Sequence, residues 1–394
     1  MKTNAALEEI EDWLIREALG QPDIGEMFAG FCERLVAAGM PVERAMLTWA
    51  TLHPLVEAES AFWRSGHDVE LSQYRHDEEE TEDWLQSPIR AVLEAREPRL
   101  RRRLSGGNAV FEYPLLASLK DEGYTDYLIL STPFDLPTVT DFGRSGMLVS
   151  WATREPDGFS DQTVEGLDYL QLRLALACRA TIQTRIARTL AETYLGARAG
   201  GQVLAGRIRH GDGETLDAVI FYSDLRGSTA LADRLEPDAY MAHLNAYFEA
   251  TAGAVMASGG EVLDFIGDAV LAVFPIGPDG VGPAACRALE AADAVLLRLR
   301  EAQRITAHPL NCGIALSSGQ VMFGNIGVPA RLTFSVIGRT VNAAARIEAM
   351  TKQLGRPLLV TAEIAAAAPR DFASIGRFHL AGFDEEVELH APHG

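Results

Sequence analysis

The chain has 394 residues, which is more than one ordinary core requires and favours two domains. Hydrophobic residues make up 47% and charged residues 23%, a composition typical of globular domains. The formal net charge of −20 disfavours nucleic acid or an anionic membrane surface as a partner, and a small anionic ligand would need a cation to hold it.

The cysteines and the N-terminus narrow the class of protein further. All four cysteines are scattered singly, without the close pairs typical of a zinc or redox site. The N-terminal segment is acidic and amphipathic, and no window approaches eighteen uninterrupted apolar residues. We therefore expect reduced thiols, no membrane span and a cytoplasmic protein.

The first third of the chain carries signals for both helices and strands. Apolar residues recur at helical spacing in 5–19 and 24–38, and 42–57 fits either a helix or a strand. Strands are predicted at 125–134 and 145–153.

A long helix is predicted from Ser160, a suitable N-cap, to about residue 195. A sheet closed by a long exit helix is the layout of a small sensory module, and residues 1–185 resemble an α/β GAF-like domain. The resemblance implies regulation by a small molecule or a protein that binds there. The glycine-punctuated segment 186–214 is predicted to be a helical linker that acts as a transducer.

Strands and helices alternate in residues 215–394, which predicts an α+β domain with helices packed on one face of a sheet. The predicted strands are 216–224, a hairpin at 261–274, 310–327, 332–338 and a last hairpin within 378–392. The predicted helices are 229–235, 238–257, 282–303 and 340–354.

Two carboxylates of this half are candidates for one metal site. Asp224 ends the first strand, and Asp268 lies on the tight turn of the hairpin at 261–274. If the hairpin lies beside the first strand, the two carboxylates converge, and oxygen ligands without histidine or cysteine suit Mg²⁺ or Mn²⁺. The alternatives are a helix cap for Asp224 and a turn role for Asp268.

Asn342 and Arg346 are four residues apart on a predicted helix and so share one face. An arginine there could stabilise charge that develops on a phosphate, and the asparagine could orient a ribose. The alternative is an exposed helix with an ordinary surface arginine.

The segments FYSDLRGST, GGEVLDFIGDAVLAVF and FSVIGRTVNAAAR, in this order, resemble the catalytic domain of class III nucleotidyl cyclases, whose core is a ferredoxin-like sheet with helices. The resemblance implies conversion of a nucleoside triphosphate to its 3′,5′-cyclic monophosphate and pyrophosphate, with two Mg²⁺ or Mn²⁺ ions per site. Asp224 and Asp268 match the metal ligands, and Asn342 and Arg346 match the catalytic pair. Because these two sets come from opposite subunits in the family, a homodimer is implied.

The backbone of the LRGST turn is expected to hold the phosphates through its N–H groups. The residues predicted for this role are Leu225, Arg226, Gly227, Ser228 and Thr229. Ala381 stands where many members of the family carry a basic residue that touches the triphosphate. Arg377, Arg226 or an arginine of the linker would have to compensate.

Asp264 and Ser335 match the family positions that read the base. A carboxylate accepts from the N1–H and 2-amino groups of guanine, and a hydroxyl can donate to O6, so polarity favours GTP over ATP. A pyrimidine, or an Asp264 that points to solvent, are the open alternatives. A degenerate cyclase domain that binds nucleotide without turnover is a further alternative, but the catalytic set is intact.

The arginines of 99–103 are not interpreted as a nucleic-acid patch. They are predicted to form a solvated helix face or to pair with the acidic run at 76–83.

Overall fold

The computed structural model describes residues 2–20, 22–134, 146–209, 211, 213–304, 308–328 and 331–393. Its contacts divide the chain into two compact units, Met1–Leu190 and Ala191–Gly394. Ser145 of the predicted strand and two residues of the predicted linker, His210 and Asp212, lie outside the described residues.

The first unit combines helices with one antiparallel sheet. Its helices are α1 (Lys2–Gly20), α2 (Ile24–Ala37), α3 (Glu82–Leu85), α4 (Pro88–Ala95), α5 (Pro114–Asp121) and most of α6 (Asp161–Leu195). Its strands are β1 (Arg44–Ala50), β2 (Val56–Arg64), β3 (Glu70–Arg75), β4 (Arg99–Arg103), β5 (Asp126–Pro133) and β6 (Gly146–Thr153).

The six strands are ordered β3-β2-β1-β6-β5-β4, and a separate hydrophobic core lies on each face. One core joins the sheet to α1, α2 and α6 through residues such as Phe28 and Leu170. The other joins it to α4 and α5 through residues such as Val92 and Leu116. Both α-helices and β-strands are therefore present in this unit, and the GAF-like assignment stays a prediction.

The segment 42–57, which fitted either type of element, holds β1 and the start of β2. The interpretation of the arginine cluster was wrong, because residues 99–103 form the edge strand β4. Its central residue Arg101 donates to the fully buried Asp126 at 2.7 Å, and neighbouring arginines bind other acids outside the run at 76–83. The arginines of this strand therefore form ion pairs within their own unit.

The long helix is confirmed as α6, and the Ser160 hydroxyl accepts from the Thr163 N–H at 3.1 Å, which caps it as predicted. A short helix, α7 (Ala197–Leu204), follows after Gly196, whose φ of 84° lets the chain turn between the two helices. No helix in the part of the chain that the structure describes is long and apolar enough to span a bilayer.

The second unit is built on a sheet of eight strands. Its strands are β7 (Gly213–Leu225), β8 (Glu261–Ile266), β9 (Ala269–Pro275), β10 (Cys312–Val328), β11 (Arg331–Ile337), β12 (Leu358–Thr361), β13 (Phe372–His379) and β14 (Glu386–Pro392). Its helices after α7 are α8 (Ser228–Ala232), α9 (Pro237–Ala257), α10 (Val281–Ala302), α11 (Arg339–Gln353) and α12 (Ala362–Ala367). The strand order is β13-β14-β12-β10-β7-β9-β8, and β11 pairs with β10.

Helices cover both faces of this sheet, so the prediction of helices on one face was wrong. Successive strand residues point to opposite faces. Val219 and Phe221 pack in the core formed with α9 and α10, whereas Ala218 and Ile220 pack in the core that contains Ala344 of α11. By this alternation Asp224 lies on the α11 face of β7, which matters for the site described next.

Candidate active site

The ends of β7 and β9 bring Asp224 and Asp268 together. The antiparallel register pairs Asp224 with Ala269, the residue that follows Asp268. The Leu225 N–H donates to the Asp268 carbonyl oxygen at 3.3 Å, and Gly267 provides the positive φ of 65° that the tight turn requires. The convergence that the spacing predicted therefore follows from the strand pairing.

The two neighbouring carboxylates form an acidic site of the kind that suits a hard cation. Partial burial and the negative charge of Asp268 raise the pKa of Asp224 to about 6. The Ser228 hydroxyl donates to Asp268 Oδ2 and fixes that carboxylate. Among the described residues no group of three or more His, Cys, Asp or Glu side chains is arranged to hold a metal ion.

The LRGST turn offers fewer free amides than its length suggests. The Leu225 N–H is used by Asp268, and the Arg226 N–H donates to the Asn311 carbonyl at 2.8 Å. Gly227 has a φ of 75° and is the N-cap of α8, which begins at Ser228. The donors at the start of α8, from Gly227 to Thr229, are the ones that remain for the predicted phosphate contact.

Helix α11 has two chemically different faces. Asn342 and Arg346 are both exposed and lie one turn apart. The opposite face buries Ala344, Ile347 and Glu348 against the sheet. Asn342 and Arg346 therefore point away from the sheet face on which Asp224 of the same chain lies.

A third acidic side chain, Glu348, lies near the aspartate pair and was missed in the sequence. It is 4% exposed, and its Oε1 lies 3.0 Å from the Arg226 guanidinium. Burial raises the pKa of Glu348 to about 7, and Asp224 adds to this effect while Arg226 opposes it. A carboxylate on the apolar face of a predicted helix was the signal that could have revealed it, because such a group requires a partner.

The two residues predicted to read the base line one pocket. Asp264 projects from β8 and Ser335 from β11, and the pocket wall between them includes Leu271 and Phe334. The β8–β9 ladder has a register shift between Val262 and Asp264, directly before this residue.

Residues of the linker complete the same pocket, a feature that the sequence did not indicate. Leu195, Arg198 and Ala199 line it together with Asp264 and Ser335. The Arg198 Nε donates to Glu261 Oε2 at 2.9 Å, and its Nη1 donates to Glu214 Oε1 at 2.8 Å. These bonds attach α7 to strands β7 and β8 of the second unit.

The arginines that could substitute for a basic side chain at position 381 differ in their exposure and in their partners. Ala381 lies in the turn between β13 and β14 and is exposed. Arg377 is exposed on β13, whereas the Arg226 guanidinium is bound to Glu348 and Thr351. In the linker, Arg198 is held by two carboxylates.

Residues 213–386 match the family described as the adenylate and guanylate cyclase catalytic domain. An adenylate cyclase of Anabaena cylindrica is 30% identical over 187 residues, which are 46% of this chain and 36% of that protein. A bacterial light-regulated adenylyl cyclase of known structure is 28% identical, covers 46% of this chain and 91% of its own, and has a TM-score of 0.40. The guanylyl cyclase Cya2 is also 28% identical over 46% of this chain and 95% of its own, with a TM-score of 0.39.

The mixed α+β unit that contains the aspartate pair is thus of the nucleotidyl cyclase class. Residues 213–386 form a catalytic domain of the adenylate and guanylate cyclase family. The chain spans 36% of the length of the Anabaena relative.

Proposed function

We propose that the chain is a nucleotidyl cyclase that converts a purine nucleoside triphosphate to its 3′,5′-cyclic monophosphate and pyrophosphate. The observation that carries the proposal is the convergence of Asp224 and Asp268 within the cyclase domain, with the pKa of Asp224 raised to about 6 by burial and by its neighbour. A pair of carboxylates in this state has the charge and the ligand type for divalent cations.

Each proposed catalytic residue has a defined task. Asp224 and Asp268 would hold two Mg²⁺ or Mn²⁺ ions, whose charge would favour ionisation of the ribose 3′-hydroxyl and neutralise the triphosphate. Asn342 would orient the ribose, and Arg346 would stabilise the charge that develops at the α-phosphate. The amides from Gly227 to Thr229 would contact phosphate oxygens.

The enzyme is proposed to act as a homodimer with two composite sites. Asn342 and Arg346 are exposed on the face of α11 opposite Glu348, so a second chain is needed to join them to an aspartate pair. Large apolar side chains on β8, β10 and β11 of the same unit are exposed, which favours burial against another copy. They are Phe265, Ile266, Met322, Ile326, Val328, Leu332 and Ile337.

GTP is proposed as the preferred substrate, because Asp264 and Ser335 line one pocket with an acceptor and a donor that match guanine. ATP is the second candidate, which the 30% identity with an adenylate cyclase favours. A binding module without turnover and a pyrimidine substrate are the remaining outcomes of the test below.

We further propose that residues 1–185 form a GAF-like regulatory domain whose exit helix α6 pairs with that of the partner copy. Within the first unit, a cavity of about 400 Å³ lies between Trp49, Glu59 and Arg185 and would suit a small polar regulator. Arg185 belongs to α6 and lies 3.0 Å from Glu59, so a ligand there would contact the exit helix directly. The cytoplasmic location stays a prediction.

The test is turnover of the purified full chain with Mn²⁺ and, separately, GTP, ATP, UTP and CTP, with products identified by mass. Cyclic GMP as the main product is the expected result, and the Asp268→Asn variant should yield none. Cyclic AMP as the main product would support ATP as the substrate. An absence of any cyclic nucleotide would contradict the proposed enzyme and favour a binding module.

A further inference from the structure

An ion pair joins the turn that follows Asp224 to the helix that carries Arg346. The Arg226 guanidinium lies 3.0 Å from Glu348 Oε1 and also donates to the Thr351 hydroxyl. That hydroxyl in turn donates to the Glu348 carbonyl at 2.6 Å. The three side chains therefore form one closed polar cluster between β7 and α11.

The cluster is fixed on both sides. The Arg226 backbone N–H donates to the Asn311 carbonyl at 2.8 Å, which holds the residue next to β10. Gly313, the ladder partner of Asp224, lies beneath the cluster, and a Cβ there would overlap Arg226, Glu348 and Thr351. Arg226, two residues after Asp224, is thus held through both its backbone and its side chain.

Such a pair is not explained by stability alone. Glu348 is 4% exposed and the Arg226 side chain 24%, so both charges lose much of their hydration. Apolar residues of similar volume are often as stabilising as a buried ion pair, whereas an ion pair imposes a specific geometry. The position of this pair beside Asp224 indicates which geometry it imposes.

We propose that Arg226 and Glu348 are positioning residues, which hold the turn that follows Asp224 against α11 so that the aspartate pair keeps the spacing required for a divalent cation. This inference rests on the proposed function for its catalytic consequence. In the proposed dimer, Arg346 contributes to the site whose aspartates belong to the other chain. The Arg226–Glu348 pair would therefore fix the aspartates of one composite site relative to the arginine that serves the second composite site. It also gives Arg226 a role other than phosphate contact.

The test compares the full-length double variant Arg226→Met/Glu348→Met with wild type. Three quantities are measured: Mn²⁺ affinity by electron paramagnetic resonance, kcat and KM with the preferred nucleotide, and the midpoint of thermal unfolding. Partners that orient metal ligands commonly contribute about 10- to 100-fold to affinity or activity, so Mn²⁺ affinity and kcat should each fall at least about tenfold. KM and the unfolding midpoint should change little.

The surface pair Arg370–Asp293, with N–O distance 2.6 Å, provides the matched control in the same unit. Its double methionine variant should leave Mn²⁺ affinity and kcat unchanged. If the Arg226/Glu348 double variant does not fold, Glu348→Gln replaces it, with the same expected direction. Wild-type Mn²⁺ affinity and kcat in the folded variant would overturn the proposal.

Measurements on the wild-type protein distinguish failure of the proposed function from failure of this inference. If wild type binds Mn²⁺ but forms no cyclic nucleotide, the cyclase proposal fails and Mn²⁺ affinity alone decides the inference. A weaker affinity in the double variant then supports positioning of the aspartates, and an unchanged affinity overturns it.

Discussion

Arg346 and Glu348 are two residues apart on α11 and face opposite directions. A helix turns by about 100° per residue, so two residues place side chains nearly opposite each other. Glu348 is 4% exposed and contacts Arg226, whereas Arg346 is exposed. Within one chain, Arg346 therefore points away from the side of α11 that faces Asp224.

This separation predicts complementation between two inactive variants. Arg346→Ala and Asp268→Asn should each lose about 10³-fold or more in kcat, because each removes one part of the transition-state stabilisation. Mixed dimers would contain one composite site with both groups intact. Co-expression with two affinity tags should therefore restore up to half of wild-type turnover, and a mixed dimer without activity would contradict composite sites.

The raised pKa of Asp224 predicts a specific effect of pH on the metal-free protein. The pKa is about 6 in the folded chain against an ordinary value of 3.8, so the folded state binds more protons than the unfolded state between these values. The charged form is the destabilising one, and its cost declines as pH falls from 6 to 3.8 and is absent below 3.8. Asp224→Asn should therefore raise the unfolding midpoint most at pH 7, less at pH 5, and have little effect below pH 3.8.

The same variant provides a metal readout. Mn²⁺ should raise the unfolding midpoint of wild type at pH 7 but not that of Asp224→Asn, because a lost ligand removes the binding free energy. The exposed Asp279→Asn variant is the control and should behave as wild type. An equal Mn²⁺ response in all three proteins would contradict the metal assignment.

The proposed role of Asp264 and Ser335 in reading the base predicts a change of substrate preference on their substitution. Asp264→Lys combined with Ser335→Asp would offer a donor to adenine N1 and an acceptor to its amine. The ratio of kcat/KM for GTP over ATP should then fall by about tenfold or more, since each mismatched polar group costs roughly 1–3 kcal/mol. Asp279→Asn changes the net charge by the same amount and is the control, and an unchanged ratio would mean that Asp264 does not contact the base.

The substitution Gly313→Ala is predicted to disturb packing, and this prediction does not depend on the substrate. An added Cβ would overlap the Arg226, Glu348 and Thr351 side chains. Gly313→Ala should lower the free energy of unfolding by about 1–3 kcal/mol, as is typical of an overpacked interior. Gly282→Ala in α10 is the matched control, because its Cβ would meet no atom within 4 Å and should be neutral or slightly stabilising. Equal stabilities of the two variants would contradict the crowding.

The sequence was sufficient for the features that depend on local pattern. The strand that ends at Asp224, the tight turn with Asp268 and the spacing of Asn342 and Arg346 each follow from periodicity, glycine and helix geometry over a few residues. The long helix α6 and its cap at Ser160 follow in the same way. The cyclase resemblance extends these local signals to a domain, and the family match supports it.

The tertiary structure alone decided which distant groups meet. Strand order and helix packing determine that both sheet faces are covered and that Arg226 meets Glu348. They also bring Arg198 to the pocket that Asp264 and Ser335 line. A side-chain pattern reports that a residue is buried or exposed, but not which residue it contacts more than 60 positions away. Those contacts are selected by packing and by the need of buried charges for partners, and both act only in the folded chain.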